Sequence, residues 1–146
     1  MPLDAEHKEQ DRWIKTLVDK MDDALCEEAC NQIMEKCGRQ CIPSHVISEA
    51  ARAYSQASDI DDFLTRLNEM KMNGGNLSRE GNIIQIRCEK FYCGCSLGWN
   101  KAFFEAIFQR PVDVKLVESI VSGADRCLIK ADLVFIMAGS AYLPAI

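Results

Sequence analysis

The chain has 146 residues and a formal net charge of −5, with 48% hydrophobic and 27% charged residues. This length suits one domain with its own core, and the composition is that of a globular protein, which excludes an intrinsically disordered chain. The mild acidity excludes the basic surface that nucleic acid requires. We therefore predict a single domain over residues 1–146 that binds no nucleic acid.

The beginning of the chain, MPLDAEHKEQDRW, has neither the basic nor the apolar region of a signal peptide. The longest apolar run, residues 133–146, is shorter than the roughly 20 residues of a membrane helix and contains Gly139 and Pro144. These features predict a cytoplasmic protein without a membrane span. In a reducing compartment, cysteines are more often buried, metal-bound or reactive than paired in disulfides.

Helical periodicity dominates the first half of the chain. Apolar residues recur at helical spacing from Asp11 onward, and Asp22-Asp23 and Gly38 predict the two ends of a second helix over about 24–37. Further helices are predicted over 44–56 and 60–71, the last capped by Ser58 or Asp59. Residues of about 11–72 therefore form the predicted helical part of the domain.

A row of four cysteines lies within this helical part: Cys26, Cys30, Cys37 and Cys41. On an unbroken helix all four would lie within about 60° of one another, so two i, i+4 pairs could bind a soft metal. The favoured alternative is that they are small buried hydrophobic residues between helices, with a break at Gly38 moving Cys41 off the row. Whether this row joins any other site is left open.

The period changes from helix to strand after residues 73–76. Ile84, Ile86 and Cys88 alternate with polar residues, a helix over about 97–109 follows, and Pro111 ends it. Two more strands are predicted over 112–118 and 126–134. Helices followed by a strand, a helix and a hairpin predict an α+β domain, with N-terminal helices packed on a mostly antiparallel sheet over about 76–134.

A cysteine-rich stretch, residues 88–100, connects this strand to the following helix. Cys88 and Cys127 share the parity of core residues on their strands, while Cys93 and Cys95 begin a helix, where the dipole lowers the pKa of a thiol. Together these four thiolates would complete a tetrahedral Zn²⁺ site. Buried thiols that line a pocket are the favoured interpretation of these cysteines, and a redox or nucleophilic cysteine is the third.

Three other residues are candidates for binding a small molecule. Tyr92 and Trp99 could line an aromatic pocket, with a role in the core as the alternative. Glu118, at a strand end, could neutralise a cationic ligand or hydrogen-bond the thiols, with solvent exposure as the alternative. No histidine lies near the cysteines in sequence, so no base for a catalytic thiol is evident and no catalytic residue is predicted.

The string VESIVSGADRCLIKADL, residues 117–133, resembles the end of the 4-vinyl reductase-like domain, with Glu118, Gly123, Asp125 and Cys127 at matching positions. Residues 94–112 look like the helix that precedes it there. A looser similarity connects the chain to the L-2-amino-thiazoline-4-carboxylic acid hydrolase-like family. The first family usually carries another cysteine two residues after the glutamate, where this chain has Ile120.

The resemblance implies the ligand-binding fold of nitric-oxide-signalling and Golgi-transport proteins, with a small-molecule pocket between helices and sheet. The leading hypothesis is therefore a sensor-like or carrier domain whose cysteine-lined pocket binds a small molecule and Zn²⁺. The first alternative is a cysteine-dependent hydrolase or reductase acting through Cys93 or Cys95. The second is a homodimeric scaffold subunit that pairs through Leu17, Met21 and the cysteine row.

Overall fold

The computed structural model describes the backbone of residues 3–88, 93–118 and 123–133, with side chains for all of these except 3–8, 11, 88, 93 and 94. Two compact units make up the chain, residues 1–34 and 35–146. The elements are, in chain order, α1 Leu3–Ala24, α2 Glu27–Gln40, α3 Ser44–Gln56, α4 Ile60–Glu69, a 3₁₀ turn Met72–Gly75, β1 Leu77–Glu80, β2 Ile83–Cys88, α5 Cys93–Phe108, β3 Asp113–Glu118 and β4 Cys127–Asp132.

The first unit contains α1 and the beginning of α2. The predicted break between two helices is confirmed and lies at Leu25 and Cys26. Asp22 and Asp23 belong to the last turn of α1, which ends at Ala24, so their predicted role as the cap of the second helix is wrong. The Cys30 thiol donates a hydrogen bond to the carbonyl oxygen of Met21 at 3.4 Å. Among the described side chains of residues 9–34, only that of Cys30 is buried. Trp13 and Leu17, in contrast, are exposed on α1.

Helix α2 continues to Gln40, so the predicted end at Gly38 is wrong. Gly38 does not have a positive φ, so it does not end the helix in the left-handed conformation. It lies instead where α2 closely contacts α5. The cap of α4 is confirmed as Asp59, whose side chain accepts a 2.8 Å hydrogen bond from the Asp62 amide. This bond satisfies one of the free amide groups of the first helical turn.

A four-stranded antiparallel sheet confirms the predicted α+β class. Its order is β1-β2-β4-β3, so β4, the last of the described strands, lies between β2 and β3. Prediction missed β1, which pairs with β2 through a turn at Gly81, where φ is 58°. The register places Ile84 opposite Ala131 and Cys88 opposite Cys127.

The core of the second unit is rich in aromatic rings. Tyr54 on α3, Phe63 on α4 and Phe108 on α5 meet edge to face, with ring centroids 5.0–6.2 Å apart. The sheet contributes aliphatic side chains, such as Ile86 and Ile129, that are fully buried. Between α3, α4, α5 and the sheet, the described side chains therefore form a packed layer. None of the described helices is long and apolar enough to span a bilayer.

Candidate functional site

Two glycines allow α2 and α5 to approach each other closely. A Cβ atom added to Gly38 would collide with the carbonyl oxygen of Cys95 and would lie 2.7 Å from the amide nitrogen of Trp99. A Cβ atom on Gly98 would collide with the carbonyl oxygen of Glu35. Since both contacts are with backbone atoms, only glycine fits at either position. We call this contact the glycine crossing.

A network of charged side chains lies at the glycine crossing. Arg39 on α2 donates to Glu105 on α5, with 2.8 Å between Nη1 and Oε2, and to Glu35 at 3.2 Å. Lys101 on α5 donates to the other oxygen of Glu35 at 3.1 Å. The hydrogen bond from Lys101, followed by that from Arg39, lowers the pKa of Glu35 below its ordinary value, although partial burial opposes the shift. The network is half-buried and holds the two helices in register.

Three cysteine thiols converge at the glycine crossing. Cys37 is on the last turn of α2 and Cys41 directly follows that helix, with its amide bonded to the Cys37 carbonyl at 3.1 Å. Cys95 lies in the first turn of α5, where the nearby Cys41 and Cys37 thiols oppose its ionisation. Cys37 and Cys41 are exposed, whereas Cys95 is half-buried. We call these three residues the thiol cluster.

The Cys95 thiol is protonated at neutral pH. Burial, followed by the neighbouring Cys41 and Cys37 thiols, raises the pKa of Cys95 to about 11. The sequence predicted a lowered pKa, because Cys95 lies at a helix N-terminus, and for this residue the prediction is wrong. Desolvation and two neighbouring thiols that can become negative outweigh the helix dipole here.

The predicted zinc ligands do not all belong to the thiol cluster. Cys127 is fully buried on β4 and is disulfide-bonded. Its sulfur is therefore not a thiolate in this state and could serve a metal only after reduction. The side chains of Cys88 and Cys93 lie outside the described residues, so their part in the prediction stays a prediction. Of the two whose side chains the structure describes, Cys95 is the one that lies beside other free thiols.

The residues predicted to bind a small molecule lie in different environments. Trp99 stacks on Phe103, with ring centroids 5.2 Å apart and an interplanar angle of 13°, and packs against the core. Glu118 is exposed at the end of β3. Tyr92 falls outside the described residues. A role for these three in a ligand pocket stays a prediction.

Two asparagines near the start of α5 were not singled out from the sequence. Asn100 is 3% exposed and donates from Nδ2 to the carbonyl oxygen of Ser96 at 2.8 Å. Its Oδ1 accepts from Asn73 at 2.6 Å. Within the described structure, Oδ1 of Asn73 is buried and has no hydrogen-bond partner. The sequence signal for Asn73 was its place in the turn segment NGGN, residues 73–76. Asparagine tolerates the left-handed backbone conformation, and Asn73 adopts it with a φ of 51°.

Within the described part of the chain, no three His, Cys, Asp or Glu side chains are positioned as they stand to hold a metal ion. The thiol cluster nevertheless has the chemistry of a soft-metal site, because its three donors are sulfur atoms from two helices. Holding a metal would require the exposed Cys37 and Cys41 side chains to turn towards Cys95. The geometry therefore provides the donors close together but not yet around one centre.

Residues 2–136 match the model of a family described as a family of unknown function, DUF6144. Because the match covers most of the chain, the protein belongs to this family. No curated protein matches the sequence. The likeness to the 4-vinyl reductase-like domain stays a prediction, since the family match does not bear on it.

Proposed function

We propose that this member of DUF6144 is a cysteine-lined binding domain that takes a soft metal ion such as Zn²⁺ at the thiol cluster. The observation that carries the proposal is the close approach of Gly38 to the Cys95 backbone, which brings Cys37 and Cys41 near enough to oppose the ionisation of the Cys95 thiol. Cys95 is 54 positions from Cys41 and 58 from Cys37 in sequence, so two distant segments supply these donors. Thiolates are the ligands that Zn²⁺ and Cu⁺ prefer among protein side chains.

The electrostatics of the cluster support a cation as its ligand. Burial raises the pKa of Cys95, and the neighbouring Cys41 and Cys37 raise it further because their thiolates would repel its own. A divalent cation reverses this effect, since it attracts every thiolate and displaces the proton from each thiol that binds it. The high pKa therefore describes the metal-free protein and predicts proton release when metal binds.

A fourth ligand would complete the tetrahedral coordination that structural zinc sites have. Cys93 precedes Cys95 by two residues and is the candidate from the sequence-based prediction. Exposed Cys37 and Cys41 have room to change rotamer, which the proposed site requires. The Gly38 contact with the Cys95 carbonyl brings the two helices within reach of one ion.

The cysteine-dependent hydrolase or reductase is the weaker alternative for Cys95. A nucleophilic cysteine reacts as a thiolate, and a pKa of about 11 leaves almost no thiolate at neutral pH. A small molecule bound beside Trp99 and Glu118, as in a sensor or carrier, remains compatible with the proposed metal site. Trp99 packs against the core and Glu118 is exposed, so neither side chain indicates the chemical class of such a ligand.

The test is a titration of the reduced, metal-free full chain with Zn²⁺ against a chromophoric chelator, together with Co²⁺ absorption. Thiolate-to-cobalt charge transfer grows with the number of sulfur ligands, so it counts them. We expect Cys41→Ser or Cys95→Ser to weaken binding at least about 100-fold. Cys26→Ser is the matched control, because Cys26 is an exposed free thiol outside the cluster. Equal affinity in Cys95→Ser and Cys26→Ser would refute the proposal.

Two further variants separate the thiol cluster from the set predicted by sequence. Cys93→Ser should remove one thiolate from the cobalt spectrum if Cys93 is the fourth ligand. Cys127→Ser should leave the spectrum unchanged if the cluster binds the metal. Loss of metal binding in Cys127→Ser, with normal binding in Cys37→Ser, would instead support the site of Cys88, Cys93, Cys95 and Cys127.

A further inference from the structure

The first unit has an apolar surface that its own residues do not cover. Trp13 is 65% exposed and Leu17 is 43% exposed, and both project from the same side of α1 because four residues separate them. A shallow groove runs along this side, lined by Glu9, Gln10, Trp13 and Ile14. We call this surface the α1 face.

Residues 9–34 bury almost no side chain by themselves. Cys30, at 6% exposure, is the one buried side chain among those described in this range. Helices in water obtain most of their stability from packing an amphipathic face, not from their intrinsic propensity. A 22-residue helix with an exposed tryptophan and leucine therefore has a face suited to a partner.

Charge on the edge of the α1 face identifies the partner as a second copy of the chain. Glu9 and Lys20 are eleven residues apart, which is about three helical turns, so they lie along the same edge of α1. In an antiparallel pair of α1 helices centred at residue 15, position 9 of each copy lies opposite position 21 of the other. Glu9 therefore comes within one residue, about 1.5 Å along the axis, of Lys20 in the other copy. In an antiparallel pair related by two-fold symmetry, this edge of one helix faces the same edge of the other helix. Because Glu9 and Lys20 have opposite charges, each attracts its counterpart on the second copy.

The same antiparallel register matches the apolar residues. Trp13 of one copy comes opposite Leu17 of the second copy, and the leucine enters the groove beside Trp13 and Ile14. Lys20 is free to form the new pair, because its present partner, Asp23, is an exposed neighbour in the same helix at 3.1 Å. We propose that the α1 face is a homodimer interface formed by two antiparallel α1 helices.

A membrane surface is a poorer match for this face. Helix α1 carries seven acidic and four basic residues, which gives it a net charge of −3 with His neutral. Amphipathic helices that bind anionic lipid have a basic polar face instead. The proposed interface is also independent of the thiol cluster, since it uses no residue of the second unit.

The experiment is sedimentation equilibrium of the full chain in a buffer with a reducing agent and a chelator, which excludes disulfide-linked and metal-bridged dimers. We expect the wild-type chain to be dimeric at roughly 100 µM. The double variant Trp13→Gln, Leu17→Gln should be monomeric at the same concentration. Lys15→Gln is the matched control, because Lys15 is exposed on the opposite side of α1 and should leave the dimer intact.

Charge reversal tests the antiparallel register itself. Glu9→Lys and Lys20→Glu should each raise the dissociation constant by about tenfold at low salt, since symmetry places two such pairs in the interface. The two substitutions together should restore the wild-type value. A monomeric wild-type chain, whether or not it binds anionic vesicles, overturns the proposal. A dimer that survives Trp13→Gln, Leu17→Gln also overturns it, because another surface then forms the dimer.

Discussion

Arg39 on α2 and Glu105 on α5 form a direct ion pair across the glycine crossing, with 2.8 Å between Nη1 and Oε2. The same guanidinium group also contacts Glu35, which in turn accepts a hydrogen bond from Lys101. Four charges of alternating sign thus connect two helices that are 66 residues apart in sequence. Together with the close contacts of Gly38 and Gly98, this network joins the two helices that carry Cys37 and Cys95.

We predict that Arg39→Ala lowers the free energy of unfolding by about 1–2 kcal/mol. One substitution breaks two contacts of a half-buried network and leaves Glu105 without its cation, whereas isolated surface pairs contribute little. Lys15→Ala, which breaks an exposed pair with Asp19, should cost less than about 0.5 kcal/mol. Urea denaturation measures both variants. An equal effect in the two variants would show that the network does not stabilise the helix contact.

The pH dependence of the free energy of unfolding should show the contribution of ionised Glu35 to stability. Its pKa is lowered in the folded protein, chiefly by the Lys101 hydrogen bond, so its contribution is present above the unfolded pKa and is lost as pH falls through the folded pKa. Stability should therefore decline as pH drops below the ordinary value of 4.5. Glu35→Gln should flatten this decline, while Glu49→Gln, at an exposed position on α3, should retain it. Unfolding free energies measured between neutral and acidic pH test the difference.

Gly38→Ala should destabilise the protein although alanine has the higher helix propensity. In an exposed helix this change stabilises by up to about 1 kcal/mol, but here the added methyl group meets the Cys95 carbonyl. Forcing the two helices apart should cost about 2 kcal/mol or more. The control is Gln40→Ala, an exposed position on the same helix, with an expected change within about 0.5 kcal/mol. Thermal unfolding of both variants measures the two changes in stability. A Gly38→Ala protein more stable than the wild type would contradict the close contact.

Alkylation of Cys95 by iodoacetamide should be slow at neutral pH and should accelerate as pH approaches about 11. Replacing its neighbours in a Cys37→Ser, Cys41→Ser variant should lower the pKa of Cys95 and increase the rate at pH 8, because two nearby thiols no longer oppose its ionisation. Peptide mass spectrometry follows each cysteine separately, with exposed Cys26 as the internal reference. Rapid labelling of Cys95 at pH 7 in the wild-type chain would refute the protonated thiol and revive the nucleophile hypothesis.

Sequence periodicity was sufficient for the local structure. Ile84 and Ile86 are buried on β2 because alternating residues of a strand face the same side, and this alternation is visible in the sequence. Asp59 caps α4 for an equally local reason. β1 was missed because four residues, LSRE, contain only one apolar side chain and become a strand by pairing with β2.

The sequence by itself therefore determined the α+β class, the positions of most elements and the presence of a thiol-rich stretch around Cys95. Only the tertiary structure decided which thiols meet, because Cys37 and Cys41 reach Cys95 through a helix contact that depends on Gly38 and Gly98. Spacing along the chain carries no information about such a contact between distant segments. The sequence pattern also could not predict that the pKa of Cys95 is raised, since burial and neighbouring thiols outweigh the local helix dipole.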